Sequence, residues 1–368
     1  MAKPKIYQQL SINCVSCAYP IYIGDNLLSD HDLLRLHVLG KQVMIVTNDK
    51  LAPLYLQNLK QAFADIQCDV IILGDGEINK NQQNLTNIYN SLIKGAHHRD
   101  TTLVALGGGV IGDITGFAAA TYQRGVAFIQ LPTTLLAQVD ASVGGKTAIN
   151  HLEGKNMIGS FHQPKAVIMD ISTLSTLPER EFCSGFAEII KYGLLVGGDL
   201  LANIDIQLDE GLSVNSIDKL SSLIAASCNI KALFVEEDER ETGNRALLNL
   251  GHTFAHALEA YTHYERWLHG EAVAIGIYCA ALLSYKLGNL EKSKLIFIDS
   301  LLKKAKLPSR IPKDIDLAIL QELMMHDKKV KDKTLHFVLL KNFGDCYIDN
   351  NVTTEILSSV LKSAIEGY

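Results

Sequence analysis

The first half of the chain alternates between short apolar runs and longer segments with helical periodicity, and this alternation restricts the fold more than any other feature. The apolar runs occupy residues 43–46, 70–73, 102–106, 128–131 and 167–169. Runs of this length suit strands that are buried on both faces. Intervening segments such as 51–66 and 85–94 are typical of helices. The pattern predicts a parallel α/β sheet, whose ligands bind at the carboxyl ends of the strands.

A different pattern begins near residue 178, where the apolar segments become long and helical in spacing. These segments occupy residues 182–195, 220–234, 247–261, 271–287 and 296–304. The 335–348 stretch departs from this pattern, because two β-like runs flank a turn and predict a hairpin. The alternation at 5–23 predicts one or two strands at a sheet edge. We therefore expect two domains, an α/β domain over 1–178 and a mainly helical domain over 179–368.

The charge balance limits the classes of partner. The 34 Lys and Arg residues against 40 Asp and Glu give a net charge of -6, which argues against general affinity for nucleic acid or for anionic lipid. The N-terminal segment lacks the apolar core of a signal peptide, and no uncharged apolar stretch of about 18 residues predicts a membrane span. We expect a cytoplasmic protein that acts on a small molecule, without membrane or nucleic-acid partners.

A glycine-rich motif follows the predicted strand at 102–106. Gly107, Gly109 and Gly112 fit G-x-G-x-x-G, and a helix is expected to start near Ile114. Backbone amides at such a helix start can bind a pyrophosphate. The acidic residue usually found about 20 positions later is missing, so a tight turn without a ligand remains an alternative.

Two further segments carry candidate anion-binding groups. In GDGEINK, Glu77 is placed for a ribose hydroxyl and Lys80 for a phosphate or carboxylate, although a solvated turn explains the segment equally well. The stretch at 131–164 is dense in Gly, Lys, Asn and Thr, and its Lys146, Lys155 and Asn156 suit an anion. A single lysine in such a loop is usually only exposed.

Four side chains in the second half are candidate metal ligands: Glu188, His252, His256 and His269. Three ligands drawn from histidine and carboxylate describe an open catalytic site. His252 and His256 share a helix face by their i, i+4 spacing, but spacing leaves open whether either is a ligand or a substrate-binding group. Ordinary packing histidines are the alternative.

Cationic side chains surround these candidates in the sequence. Lys191 lies three residues after Glu188, and Lys231, Arg245 and Lys328 follow. In an acidic protein, such a concentration of cations indicates an anionic substrate. Arg245 and Asn249 are expected to share a helix face by i, i+4 spacing. A solvated helix face is an alternative explanation for Lys231 and for Lys328 taken singly.

At this point the motifs resemble one family. The segments GGGVIGD, DASVGGKTAIN, GKNMIGSFHQP, GFAEIIKYG, NLGHTFAHALEA and LHGEAVAIG, together with DGE and PTT, are similar to those of 3-dehydroquinate synthases from about residue 40 to 340. Related sugar phosphate cyclases share many of them. The resemblance implies a Rossmann-like NAD-binding α/β domain and a helical metal-binding domain.

The resemblance also implies which residues bind the cofactors. Glu188, His252 and His269 would hold the metal, zinc or cobalt, which leaves His256 as a substrate-binding or proton-relay group. The implied dinucleotide contacts are Asp75, Gly76, Glu77, Lys80, Gly108, Gly109, Val110, Ile111, Gly112, Asp113, Thr133, Thr134, Lys146, Lys155, Thr173, Leu174, Ser175 and Thr176.

The implied reaction converts 3-deoxy-D-arabino-heptulosonate 7-phosphate to 3-dehydroquinate and phosphate by transient oxidation, elimination, re-reduction and aldol closure. Its catalytic and substrate-binding residues would be Lys146, Asn156, Asn249 and Lys328 at the phosphate, Lys231 and Arg245 at the carboxylate, with Asp140, Lys191 and His256. Arg124 would reach the site of a neighbouring subunit in a homodimer. Another sugar phosphate cyclase, or a metal-dependent alcohol or glycerol-type dehydrogenase, is the alternative.

Overall fold

The computed structural model describes residues 3–15, 17–211, 213–214, 216–241, 243–325 and 335–367. Its strands are β1 (Lys5–Asn13), β2 (Ala18–Asp25), β3 (Gln42–Asn48), β4 (Gln67–Leu73), β5 (Thr102–Gly107), β6 (Ala127–Pro132), β7 (Lys146–His151), β8 (Gly154–Phe161), β9 (Val167–Asp170), β10 (Phe337–Asn342) and β11 (Asp345–Asp349). The five apolar runs of the first half therefore all form strands, and the α/β fold class is confirmed.

The helices account for most of the second half of the chain. They are α1 (His31–Leu36), α2 (Gln57–Gln61), α3 (Gln82–Lys94), α4 (Gly109–Thr121), α5 (Glu179–Val196), α6 (Gly198–Asp209), α7 (Ile217–Glu237), α8 (His252–Tyr261), α9 (His269–Lys286), α10 (Lys292–Lys304), α11 (Leu317–Met325) and α12 (Thr354–Ser363). No helix among the described residues combines the length and apolar character that crossing a membrane requires.

The described residues form two compact units. One consists of Met1–Leu177 with Val214–Arg240, and the other of Pro178–Ser213 with Glu241–Tyr368. The expected division at 178 placed α7 in the C-terminal domain, whereas the structure groups α7 with the first unit. The reason is that α7 packs on β1 and β2, so the chain returns to the first unit after α6.

The first unit contains a seven-stranded sheet in the order β1-β2-β9-β6-β5-β3-β4. All neighbours are parallel except β1, which pairs antiparallel with β2 at one edge. Both faces of the sheet are buried: one apolar cluster contains Phe117 and Phe128, and a second contains Phe63 and Ile129. This double burial explains why the central strands are continuously apolar.

Local structure differs from the periodicity in two places in the first half. The segment predicted as one helix at 51–66 is a π-helical turn at Ala52–Leu56 followed by the short α2. A proline lies near the start of the π-helical turn and lacks the backbone N–H that a regular helix interior requires. The helix expected near Ile114 begins five residues earlier, at Gly109.

The glycine- and lysine-rich stretch at 131–164 contains the β7–β8 hairpin, which periodicity did not reveal. The apolar residues Met157, Ile158 and Phe161 of β8 are exposed, so this strand lacks an inward apolar face, although Ile149 of β7 is buried in the core. The predicted hairpin near the C-terminus is present as β10 and β11, and the positive φ of 82° at Gly344 explains the glycine in its turn.

Candidate functional site

Three side chains of the second unit meet at one point. Glu188 lies in the middle of α5, His252 is the first residue of α8, and His269 is the first residue of α9. One ligand atom from each lies within 4.8 Å of those of the others. Glu188 is fully buried, whereas His269 is partly exposed. The packing of the helices therefore brings Glu188 close to two residues that follow it by 64 and 81 positions in the chain.

Hydrogen bonds orient both imidazole rings toward Glu188. The Nε2 atoms of His252 and His269 lie 3.7 Å and 3.5 Å from Oε1 of Glu188. On the other side of the rings, Nδ1 of His252 lies 3.2 Å from the carbonyl oxygen of Leu250, and Nδ1 of His269 lies 3.2 Å from Oε1 of Glu259. Each ring therefore directs Nε2 toward the carboxylate.

The donor set fits a divalent metal ion. One carboxylate and two imidazoles are a three-ligand set that leaves a position open for a water or a substrate oxygen. Burial would lower the pKa of His269, but the carboxylates of Glu259 and Glu188 outweigh burial and raise it to about 9. A cation is thus stabilised electrostatically at this point, whether it is a proton or a metal ion.

Two glycines of α9 allow the three helices to approach so closely. A Cβ atom at Gly270 would lie 1.8 Å from the backbone oxygen of Ser184 in α5. A Cβ atom at Gly276 would lie 2.1 Å from the backbone oxygen of Gly251, which precedes His252. Since both contacts are with backbone, a side chain at either position would separate the helices that carry the ligands.

The other predicted residues of the second unit lie near these helices. Lys191, almost fully buried, forms an ion pair with Glu188 one helical turn earlier. The ring of His256 makes an edge contact with His252, with centroids 5.6 Å apart. Arg245 is buried, and the amide of Asn249 donates to Glu241 at 2.8 Å.

Arg245 and Asn249 do not share an α-helical face, contrary to expectation. They lie in a 3-10 helix, Asn244–Asn249, that precedes α8. With three residues per turn, positions four apart point in different directions. Lys328 lies outside the described residues.

In the first unit, the strand order reverses beside the glycine-rich motif. The chain runs from β3 to β4 toward one edge, returns to β5 on the other side of β3, and continues to β6. The carboxyl ends of β3 and β5 thus flank the point where α/β sheets bind their ligands. Gly107 ends β5, and the helix α4 that follows has no side-chain cap at its N-terminus.

The start of α4 packs closely against the segment after β6. Gly108 precedes the helix, and a Cβ atom there would lie 3.0 Å from the Cγ2 methyl of Thr134. The first turn of α4 contains the predicted residues Gly109, Val110, Ile111 and Gly112. Thr133 follows β6 and donates its backbone N–H to Gly107. Amides that point outward from an uncapped helix start can bind a pyrophosphate.

The loop from Asp75 to Lys80 lies at the end of β4. Asn48, which ends β3, donates to Asp75 at 2.7 Å. Lys80 is buried and forms an ion pair with Asp113, and its Nζ also lies 2.5 Å from Oδ1 of Asn156. Lys80 therefore connects two predicted ligand-binding segments in this structure.

Asn150, which the sequence did not single out, supports the same region. Its amide donates to Glu77 at 2.8 Å, and its Oδ1 accepts from the backbone N–H of Asn156 at 2.9 Å. Asn156 has a positive φ of 56°. Nζ of Lys155 lies 3.8 Å from Oε2 of Glu77. The β7–β8 hairpin is thus tied to the loop of Glu77, a relation that only the fold reveals.

The remaining predicted residues of the first unit lie on several elements. Lys231 of α7 is buried, and its Nζ lies 2.6 Å from both the backbone oxygen and Oδ1 of Asp140. Lys146 and Arg124 are exposed. Thr173, Leu174, Ser175 and Thr176 lie in a 3-10 helix after β9, where Thr176 is 2.6 Å from the hydroxyl of Tyr55.

Two family descriptions match consecutive parts of the chain, and a named relative matches its whole length. The family described as 3-dehydroquinate synthase N-terminal matches residues 70–184, and the one described as 3-dehydroquinate synthase C-terminal matches residues 185–330. A 3-dehydroquinate synthase of Legionella pneumophila (strain Lens) is 58% identical over 100% of this chain and 99% of its own length. The 3-dehydroquinate synthase of Coxiella burnetii (strain RSA 331) is 50% identical over 97% of this chain and 99% of its own.

A solved structure extends the comparison to ligands. A 2-deoxy-scyllo-inosose synthase complexed with carbaglucose-6-phosphate, NAD+ and Co2+ superposes with a TM-score of 0.88 and is 25% identical. The match covers 97% of this chain and 100% of the other.

Proposed function

The chain belongs to the 3-dehydroquinate synthase family, and we propose that it converts 3-deoxy-D-arabino-heptulosonate 7-phosphate to 3-dehydroquinate and phosphate with NAD and a divalent metal ion, zinc or cobalt. The observation that supports this most is identity of 58% over the whole chain, combined with the three ligand atoms within 4.8 Å of one another. When bound, NAD takes up and returns hydride and the metal ion polarises substrate hydroxyls, so the reaction has no net redox change.

We assign the cofactors to separate units. NAD would bind in the first unit, at the carboxyl ends of β3 and β5, with its pyrophosphate at the start of α4. The ion would be held in the second unit by Glu188, His252 and His269. The bonds of Leu250 and Glu259 to the Nδ1 atoms would keep the two rings oriented for this purpose.

We expect the anionic groups of the substrate to bind at the cationic side chains. Nζ of buried Lys231 lies 2.6 Å from Oδ1 of Asp140, which restricts the orientation of its ammonium group, and we expect both Lys231 and buried Arg245 to bind the substrate carboxylate. Lys146, Asn156 and Asn249 would bind the phosphate, and Lys191 and His256 would contact substrate or relay protons beside the metal. Fixed groups of this kind contribute by positioning the departing phosphate.

We also propose a cellular location and an assembly state for the protein. A biosynthetic enzyme with a small-molecule substrate fits the cytoplasm, and the family resemblance favours a homodimer in which Arg124 reaches the partner subunit. Exposure of Arg124 is compatible with that role.

Phosphate release tests the reaction directly. Purified protein with NAD and zinc or cobalt should release phosphate from 3-deoxy-D-arabino-heptulosonate 7-phosphate, while absorbance at the NADH band stays flat, because hydride returns within each turnover. Accumulating NADH with retained phosphate would instead identify a dehydrogenase. Faster phosphate release from a sugar phosphate without a carboxylate would identify another cyclase.

Replacing Lys231 by methionine should raise KM for the carboxylate-bearing substrate by about 10- to 100-fold, because a hydrogen bond between charged groups contributes about 1.5–3 kcal/mol. Steady-state kinetics of phosphate release measure the effect. The matched control is Lys219→Met on the exposed part of the same helix, which should leave KM unchanged. Equal KM values for the two variants would remove Lys231 from substrate binding.

A further inference from the structure

Glu259 is a buried carboxylate that is aimed at one of the metal-ligand histidines. It lies on α8 seven residues after His252, and that spacing places both side chains on one helix face. The side chain is 3% exposed, and Oε1 lies 3.2 Å from Nδ1 of His269. Helix α8 therefore contributes one ligand directly and contacts a second ligand through Glu259.

The partners of the two Nδ1 atoms differ in charge. The carbonyl oxygen of Leu250 and an ionised carboxylate of Glu259 can each only accept a hydrogen bond, so both rings donate from Nδ1. The Nε2 atom of each ring would then be the one that binds a metal ion in place of a proton. His252 has a neutral acceptor behind it, whereas His269 has a negatively charged one. The carboxylate increases electron donation by its imidazole to an ion at Nε2.

We propose that Glu259 is a positioning residue that holds His269 in the metal-binding tautomer and strengthens its bond to the ion. The inference rests on the proposed metal role of Glu188, His252 and His269. Burying a carboxylate is costly unless it is hydrogen-bonded, and a glutamine or an apolar residue of similar volume would fill the same space without that cost. A role in packing alone therefore does not account for the charge.

Metal affinity distinguishes the proposed role from a packing role. Two variants separate charge from hydrogen bonding: Glu259→Gln keeps an acceptor without charge, and Glu259→Met removes the acceptor at similar volume. The affinity of the metal-free protein for Co²⁺ and Zn²⁺ is measured by competition with a chromophoric chelator. Outer hydrogen-bond partners of ligands typically contribute about 10- to 100-fold in metal affinity. We expect losses within that range, larger for the methionine variant.

Further measurements would distinguish this role from a purely structural effect. The visible absorption of bound Co²⁺ should shift in both variants, because the donor strength of His269 changes, while the far-UV circular dichroism of the metal-free Glu259→Gln protein should match that of the parent. Saturating metal should restore phosphate release. Exposed Glu265→Gln, just after α8, is the control and should leave affinity and spectrum unchanged.

Unchanged affinity and an unchanged Co²⁺ spectrum in Glu259→Gln and Glu259→Met would overturn the proposal. Failure of the metal site itself has a different signature, because then Glu188→Gln would also bind Co²⁺ like the parent protein. Should Glu259→Met not fold, Glu259→Gln still decides the question, since it retains the volume and an acceptor atom.

Discussion

Replacing Glu188 by glutamine is expected to remove stoichiometric zinc or cobalt and to lower phosphate release by ~10³-fold or more, since the polarising ion contributes several kcal/mol to the barrier. Glutamine preserves the volume of this fully buried side chain but removes the one negative charge among the three ligands. Metal content after dialysis and the rate of phosphate release measure the effect. Parent-like values for both would exclude Glu188 from the site.

A second effect of this substitution has to be separated from the loss of metal. The variant removes the carboxylate that pairs with buried Lys191, and breaking a buried ion pair costs about 3–5 kcal/mol. In the double variant Glu188→Gln, Lys191→Met, we expect recovered stability without recovered metal. The control is Glu179→Gln on the same helix, where the ion pair with Lys306 is exposed and screened by solvent, so stability and metal content should stay close to those of the parent.

Replacing Gly270 by alanine is expected to destabilise the protein by about 3 kcal/mol or more and to weaken metal binding with it. The added Cβ would lie 1.8 Å from the backbone oxygen of Ser184, so the start of α9 must move away from α5. His269 precedes Gly270, and Glu188 lies one turn after Ser184. Urea denaturation and Co²⁺ affinity report the two effects.

Gly193→Ala is the matched control for this prediction. Gly193 also lies in α5, but a Cβ there would contact the Cδ1 methyl of Ile204 at 2.7 Å and the side chain of Leu201, which can rotate. Alanine also favours helix over glycine by up to about 1 kcal/mol, which offsets part of the crowding. Equal stability of the two variants would contradict the role assigned to the contact between Gly270 and Ser184.

The elements that apolar periodicity predicted well are those whose environment is uniform. Central strands such as β5 and β6 are buried on both faces, so each reads as a continuous apolar run. The long helices α5 and α9 were equally recognisable. The β7–β8 hairpin was missed because Met157 and Phe161 are exposed, and the 3-10 geometry around Arg245 was missed because α and 3-10 helices share similar residue preferences.

Residue order was sufficient for the α/β class, for the switch to helices near residue 178 and for the four candidate metal ligands, because burial periodicity and side-chain chemistry are local properties. The family motifs suggested which three candidates act together, a choice that spacing left open. Only the tertiary structure brings atoms of Glu188, His252 and His269 within 4.8 Å, returns α7 to the first unit and sets Glu259 behind His269. Those relations depend on close backbone approaches between helices distant in the chain, such as that at Gly270, and no local pattern encodes them.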